Sequence, residues 1–83
     1  MEYLIQKTII EKYGSINNFV DAHYNELPIG RTHIYMLVNY KIENPGVLTL
    51  EKLAKLIGLP KEDVINDYLA GYRNKQLEAE HSN

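Results

Sequence analysis

The sequence predicts an all-α fold, a compact bundle of five short helices with a short polar C-terminal tail. Two observations predict it. Apolar residues recur at i, i+3, i+4 and i+7, the spacing of helices that bury one face. Between those stretches stand residues that start and stop helices, with Gly14, Gly30, Gly46, Gly58 and Gly71 each at an expected boundary.

The first helix is expected over Glu2–Tyr13, with Ile5, Ile9 and Tyr13 in register and Leu4 beside them. Gly14 follows where a helix tends to end in a left-handed residue. Ser15 is a good N-cap for the second helix, because its hydroxyl can accept from a free N–H of the first turn. The same helix start could hold a DNA phosphate through its unpaired amides and dipole. Ile16, Phe19, Val20 and His23 make that helix's inward stripe, which leaves His23 at the core edge.

Tyr24 to Gly30, YNELPIG, is the turn. Asn25 can close the second helix in a left-handed conformation, and Pro28 pushes Leu27 out of the helical region. Leu27 or Ile29 should plug the core. Gly30 is an acceptable N-cap for a third helix running from Arg31 to about Tyr40. Its inward stripe is Ile34, Leu37 and Val38. At about 100° per residue, Thr32, Met36 and Asn39 point the other way, flanked by His33, Tyr35 and Tyr40. Lys41 suits the negative pole of the helix dipole or, equally, a phosphate.

Asn44-Pro45-Gly46 breaks the chain. Thr49 is expected to cap a fourth helix with Leu50, Leu53, Ala54 and Ile57 inward, ended by Gly58. Pro60 fits a first turn, and Glu62 with Asp63 favour the positive pole of a fifth helix. Val64, Ile65, Tyr68, Leu69 and Tyr72 form its apolar seam. One domain is expected over residues 1–72, and residues 73–83 as a frayed helix or disordered tail.

Composition narrows the function. With 83 residues and no cysteine there is no disulfide framework and no thiolate metal site. No apolar run approaches the roughly 18 residues of a membrane span, and the N-terminus lacks a signal-peptide pattern, so a cytoplasmic protein is expected. The net charge of −2 runs against the basic footprint of nucleic-acid binders. The acid is unevenly spread: residues 1–42 balance, and the surplus lies in Glu43, Glu51, Glu62, Asp63, Asp67, Glu78 and Glu80. His23, His33 and His81 have no ligand spacing. Glu62 and Asp63, adjacent on a helix, do not face one another as a catalytic pair would. No phosphate-binding glycine loop occurs. No enzyme, cofactor or metal is expected.

The segments KYGSINNFV, Ile29 before GRTHIYMLVNYK, and above all TLEKLAKLIGLPKEDVINDYL resemble the lambda-repressor-like (Xre/Cro-type) helix-turn-helix family over about Leu4 to Leu69. The turn HYNELPIG is longer than the family's tight turn, and Pro28 stands where the family has glycine. The resemblance implies a sequence-specific DNA-binding transcription regulator of bacterial or phage repressor type, with the third helix in the major groove. It implies base contacts from Arg31, Thr32, Tyr35 and Met36, and phosphate contacts from Ser15, Asn17, Asn39 and Lys41. Arg31 could pair bidentately with guanine, and Met36 could meet a thymine methyl. A small module with few bases should need a homodimer spanning half-sites about 34 Å apart. Tyr68, Tyr72 and Leu77 are the candidate dimer surface. The alternative is a protein-binding module, an antirepressor or adaptor, using Tyr35, Met36 and Tyr40, since Tyr and Met are enriched at interfaces.

Overall fold

The stripes read from the sequence become the walls of a single core. A computed structural model describes residues 3–81, with side-chain surroundings through Ala79; Glu2 lies outside the described residues. The helices are α1 (Leu4–Tyr13), α2 (Ile16–His23), α3 (Arg31–Val38), α4 (Val47–Ile57) and α5 (Lys61–His81), and no strand occurs among the described residues. Ile5 and Ile9 of α1, Phe19 and Val20 of α2, and Ile34, Leu37 and Val38 of α3 are buried as expected. So are Leu50, Leu53, Ala54 and Ile57 of α4 and Val64 and Tyr68 of α5. Leu27 plugs the connection between α2 and α3, with Ile29 half-buried against the core.

Several ends and faces differ from the sequence reading. α2 closes through Tyr24 in a right-handed conformation, and Glu26 N–H returns to His23 O at 2.9 Å. Asn25 therefore takes no left-handed conformation; the turn continues the helix's own hand. α4 starts at Val47 rather than after Thr49, because Gly46, at φ 84°, turns the chain straight into the helix. Thr49 is consequently a first-turn residue, not the cap. Pro60 stands just before α5, its carbonyl accepting from Asp63 and Val64 N–H at 3.1 and 3.2 Å. Leu69, expected in the seam of α5, is exposed, because the buried stripe runs through Val64, Tyr68 and Gly71.

The largest departures share one cause. α3 ends at Val38, and Tyr40 is not on its outer flank but fully buried. Tyr40 N–H bonds Leu37 O at 3.1 Å and Lys41 N–H bonds Met36 O at 2.9 Å, the paired closure of a Schellman motif. Tyr40 occupies the left-handed position of that motif, at φ 60°, where glycine is usual. The glycine stands elsewhere. Gly71 lies inside α5, and a Cβ on it would come within 2.3 Å of Tyr40 Cδ1. Gly71 therefore does not end the fifth helix; it makes room for a ring. α5 continues through the expected tail to His81, its 21 residues making about 31 Å at a rise of about 1.5 Å each.

The Tyr40 ring lies between Tyr3 and Tyr68, with centroids at 4.9 and 5.6 Å. Its hydroxyl donates to Asp67 Oδ2 at 2.5 Å. The same carboxylate accepts from the N–H groups of Leu4 and Ile5, each at 2.9 Å. Tyr3, the residue before α1, supplies no side-chain cap, so Asp67 caps α1 from α5. Burial, and secondarily the Asp67 hydrogen bond, push the Tyr40 hydroxyl far above the ordinary phenol range. Burial likewise raises Tyr68, whose hydroxyl donates to Ile42 O at 2.6 Å and accepts from Ile42 N–H at 2.9 Å.

Candidate nucleic-acid interface

α3 is held by its inward stripe, so its other side faces solvent. Arg31, Thr32 and His33 in its first turn are exposed, and Met36 one turn on is 38% exposed. Gly30 caps the helix through its backbone alone, and a Cβ on it would meet nothing within 4 Å. The approach to the first turn of α3 is open.

Four residues expected to contact bases thus share the outer side, but two are already tied to α2. The Arg31 guanidinium donates through Nη2 to Asp21 Oδ1 and lies over the Tyr24 ring, 5.4 Å from its centroid. Tyr35, half-buried, donates its hydroxyl to Asn17 Oδ1 at 2.7 Å. Asn17 and Asp21 are one turn apart on α2, and Arg31 and Tyr35 one turn apart on α3, so the two ties form neighbouring rungs between the helices. Sequence reading missed Asp21 and Tyr24; the spacing of Asn17 and Asp21 on the outer side of α2 was the available signal.

The expected phosphate contacts divide similarly. Ser15 Oγ accepts from Asn18 N–H at 3.1 Å, the plain capping role, and Asn18 Nδ2 donates to Tyr13 O at 2.8 Å. Asn39 is half-buried: its Nδ2 donates to Tyr35 O at 2.8 Å and its Oδ1 accepts from Gln6 Nε2 at 3.0 Å. Gln6 Nε2 also donates to Val38 O at 2.9 Å, so α1 closes the end of α3. Lys41 is exposed just beyond.

The expected dimer surface loses a member. Tyr68 is 1% exposed and committed to Ile42, whereas Tyr72 is half-buried and Leu77 is 46% exposed. The protein-binding surface of the alternative reading likewise loses Tyr40 to the core. An apolar groove of about 210 Å³ lies between the 43–47 segment and α5, lined by Pro45, Val47, Leu50, Ile65 and Leu69 among others.

His23 sits at the core edge as read from the sequence. Its Nε2 is 2.8 Å from the Tyr13 hydroxyl, and its Nδ1 meets Glu26 Oε2. The Tyr13 hydroxyl also donates to Leu56 O at 3.4 Å, which joins α1, α2 and α4 at one corner. Among the described residues, no group of three or more His, Cys, Asp or Glu side chains could hold a metal ion. No helix among them is long and apolar enough to cross a membrane.

The described residues thus form a compact all-helical arrangement of five helices, one of them anchored on one side and open on the other. Comparison with known proteins brings no match: no family model, no curated protein and no solved structure corresponds to the chain.

Proposed function

We propose that the chain is a sequence-specific DNA-binding regulator of lambda-repressor-like, bacterial or phage repressor type, acting on double-stranded DNA as a homodimer without enzymatic activity. The observation that carries the reading is the division of α3: Ile34, Leu37 and Val38 in the core, Arg31, Thr32 and Met36 outside. A helix fixed on one side and presenting donors at its N-terminal turn is the form that enters a major groove. Arg31 would read guanine and Thr32 an adjacent base edge. Lys41, exposed past the end of α3, would meet a phosphate and set register.

Selection of random duplexes against the purified protein tests this. Enrichment of a palindrome is the expected result. Arg31→Ala and Thr32→Ala should then weaken the selected site, by about 1–3 kcal/mol for a lost bidentate pair, with the thermal melt unchanged. Binding should fall with salt, because neutralised phosphates release counterions. A second reading, a protein-binding antirepressor or adaptor, has support in the exposed Tyr24 beside Arg31, in the exposed Met36 and in the net charge of −2. Failure to enrich any duplex would favour it.

A further inference from the structure

We propose that Asp21 and Tyr24 are positioning residues for Arg31, fixing the direction of its guanidinium so that sequence discrimination is gained at the expense of non-specific affinity. The inference rests on the DNA-binding reading and specifies how its first base contact is controlled. Arg31 opens α3, and its long stem would otherwise sample many rotamers. Two groups from the end of α2 restrict it. Asp21 takes one N–H at Nη2, and the Tyr24 ring lies against the guanidinium, 5.4 Å from Cζ.

A guanidinium has five N–H donors in a rigid plane, so the bond to Asp21 and the Tyr24 ring together restrict that plane and leave donors over. The Arg31 side chain remains 50% exposed, and the space a Cβ on Gly30 would take is open. The second rung, Tyr35 to Asn17 at 2.7 Å, holds the next turn of α3 to the same edge of α2. Direction at Arg31 is therefore set by the α2–α3 pair as a unit.

Asp21 also carries a cost for binding. Its side chain is 60% exposed beside the open end of α3, and a carboxylate there repels phosphates of any sequence. Asp21 thus acts oppositely on two measurable quantities. It lowers affinity for every duplex through its charge and raises the preference for the right one through Arg31. A carboxylate that only repelled would change both affinities by the same factor.

The test measures binding of wild type, Asp21→Asn, Asp21→Glu and Tyr24→Leu to the selected duplex and to a random-sequence duplex of equal length. For Asp21→Asn, random-duplex affinity should rise and the specific-to-random ratio should fall about ten-fold, the scale of one partly lost base contact. Asp21→Glu, which can still reach the guanidinium, should recover much of the ratio. Tyr24→Leu should lower the ratio with random-duplex affinity unchanged, since it alters no charge. Side-chain NMR of the free protein should show hindered rotation of the Arg31 guanidinium in wild type and freer rotation in Asp21→Asn. An unchanged ratio in both Asp21→Asn and Tyr24→Leu would overturn the positioning role while leaving DNA binding intact. A wild type that selects no duplex would overturn the function and, with it, this inference.

Discussion

Tyr35 and Tyr40 lie on one short stretch of chain, and both donate a hydroxyl to a side-chain oxygen from another helix. Tyr40 meets Asp67 at 2.5 Å inside the core; Tyr35 meets Asn17 at 2.7 Å at an exposed edge. The bonds are alike in geometry and unlike in setting. At the surface, water competes for both partners, so the net contribution of such a bond is small. Beside the buried Tyr40 ring, losing the hydroxyl leaves a half-buried carboxylate with only the two α1 amides as donors, and a lost bond to a charged group there costs more. The first region can therefore be altered to tune recognition, whereas the second holds three helices in place and tolerates little.

The sharpest way to break this comparison is Gly71→Ala. In a helix interior alanine is normally better than glycine by about 1 kcal/mol. Here a Cβ would sit 2.3 Å from a ring that Tyr3 and Tyr68 confine on both sides. Overpacking of this kind costs typically 1–3 kcal/mol, sometimes more. The expected outcome is a net loss of about 2 kcal/mol, read as a fall of roughly 10 °C in the thermal melt. A variant melting at or above wild type would show that Tyr40 can move aside.

Alkaline titration is the next test. The folded state holds the Tyr40 and Tyr68 protons to higher pH than the unfolded chain does. Above about pH 10 the unfolded chain binds fewer protons, so stability falls as pH rises. The contribution is complete below the unfolded value and is lost as pH climbs toward the folded ones. Above pH 10 Tyr40 should remove up to about 1.4 kcal/mol per pH unit, with Tyr68 adding in the same direction, measured by urea unfolding between pH 8 and 11. Tyr40→Phe should be less stable at neutral pH, because Asp67 loses a donor, and should show a shallower alkaline decline. An equally steep decline in Tyr40→Phe would remove Tyr40 from the account.

The smallest effect belongs to the exposed region. Tyr35→Phe should change unfolding free energy by less than about 0.5 kcal/mol in the same urea experiment. A loss as large as that of Tyr40→Phe would erase the distinction between the two tyrosines.

The parts of this fold that depend on neighbours in sequence were legible. Helical stripes follow from a local period, the Ser15 cap from a local hydroxyl, and the closures at Gly14 and Gly58 from positive φ at glycine. Tyr40 and Gly71 were misread together because each makes sense only beside the other, and they are far apart along the chain. A glycine in a polar stretch reads as a stop, and a tyrosine after an apolar stripe reads as a flank. Only packing between α5 and the end of α3 reverses both. At the candidate interface, exposure of Arg31, Thr32 and Met36 followed from the period of α3. The ties to Asn17 and Asp21 did not, since they depend on how two helices cross rather than on either helix alone.

The Asp67 carboxylate has a further consequence for how the chain acquires its shape during translation. Leu4 N–H finds its acceptor 63 residues later, and the Tyr40 hydroxyl finds the same one. At roughly 5–20 residues per second, the ribosome makes the partner of the first helix roughly 3 to 13 seconds after that helix. The opening amides of α1, made before the other four helices, thus wait for the fifth, and a nascent chain halted before residue 67 would carry an α1 whose first amides have only water to bind.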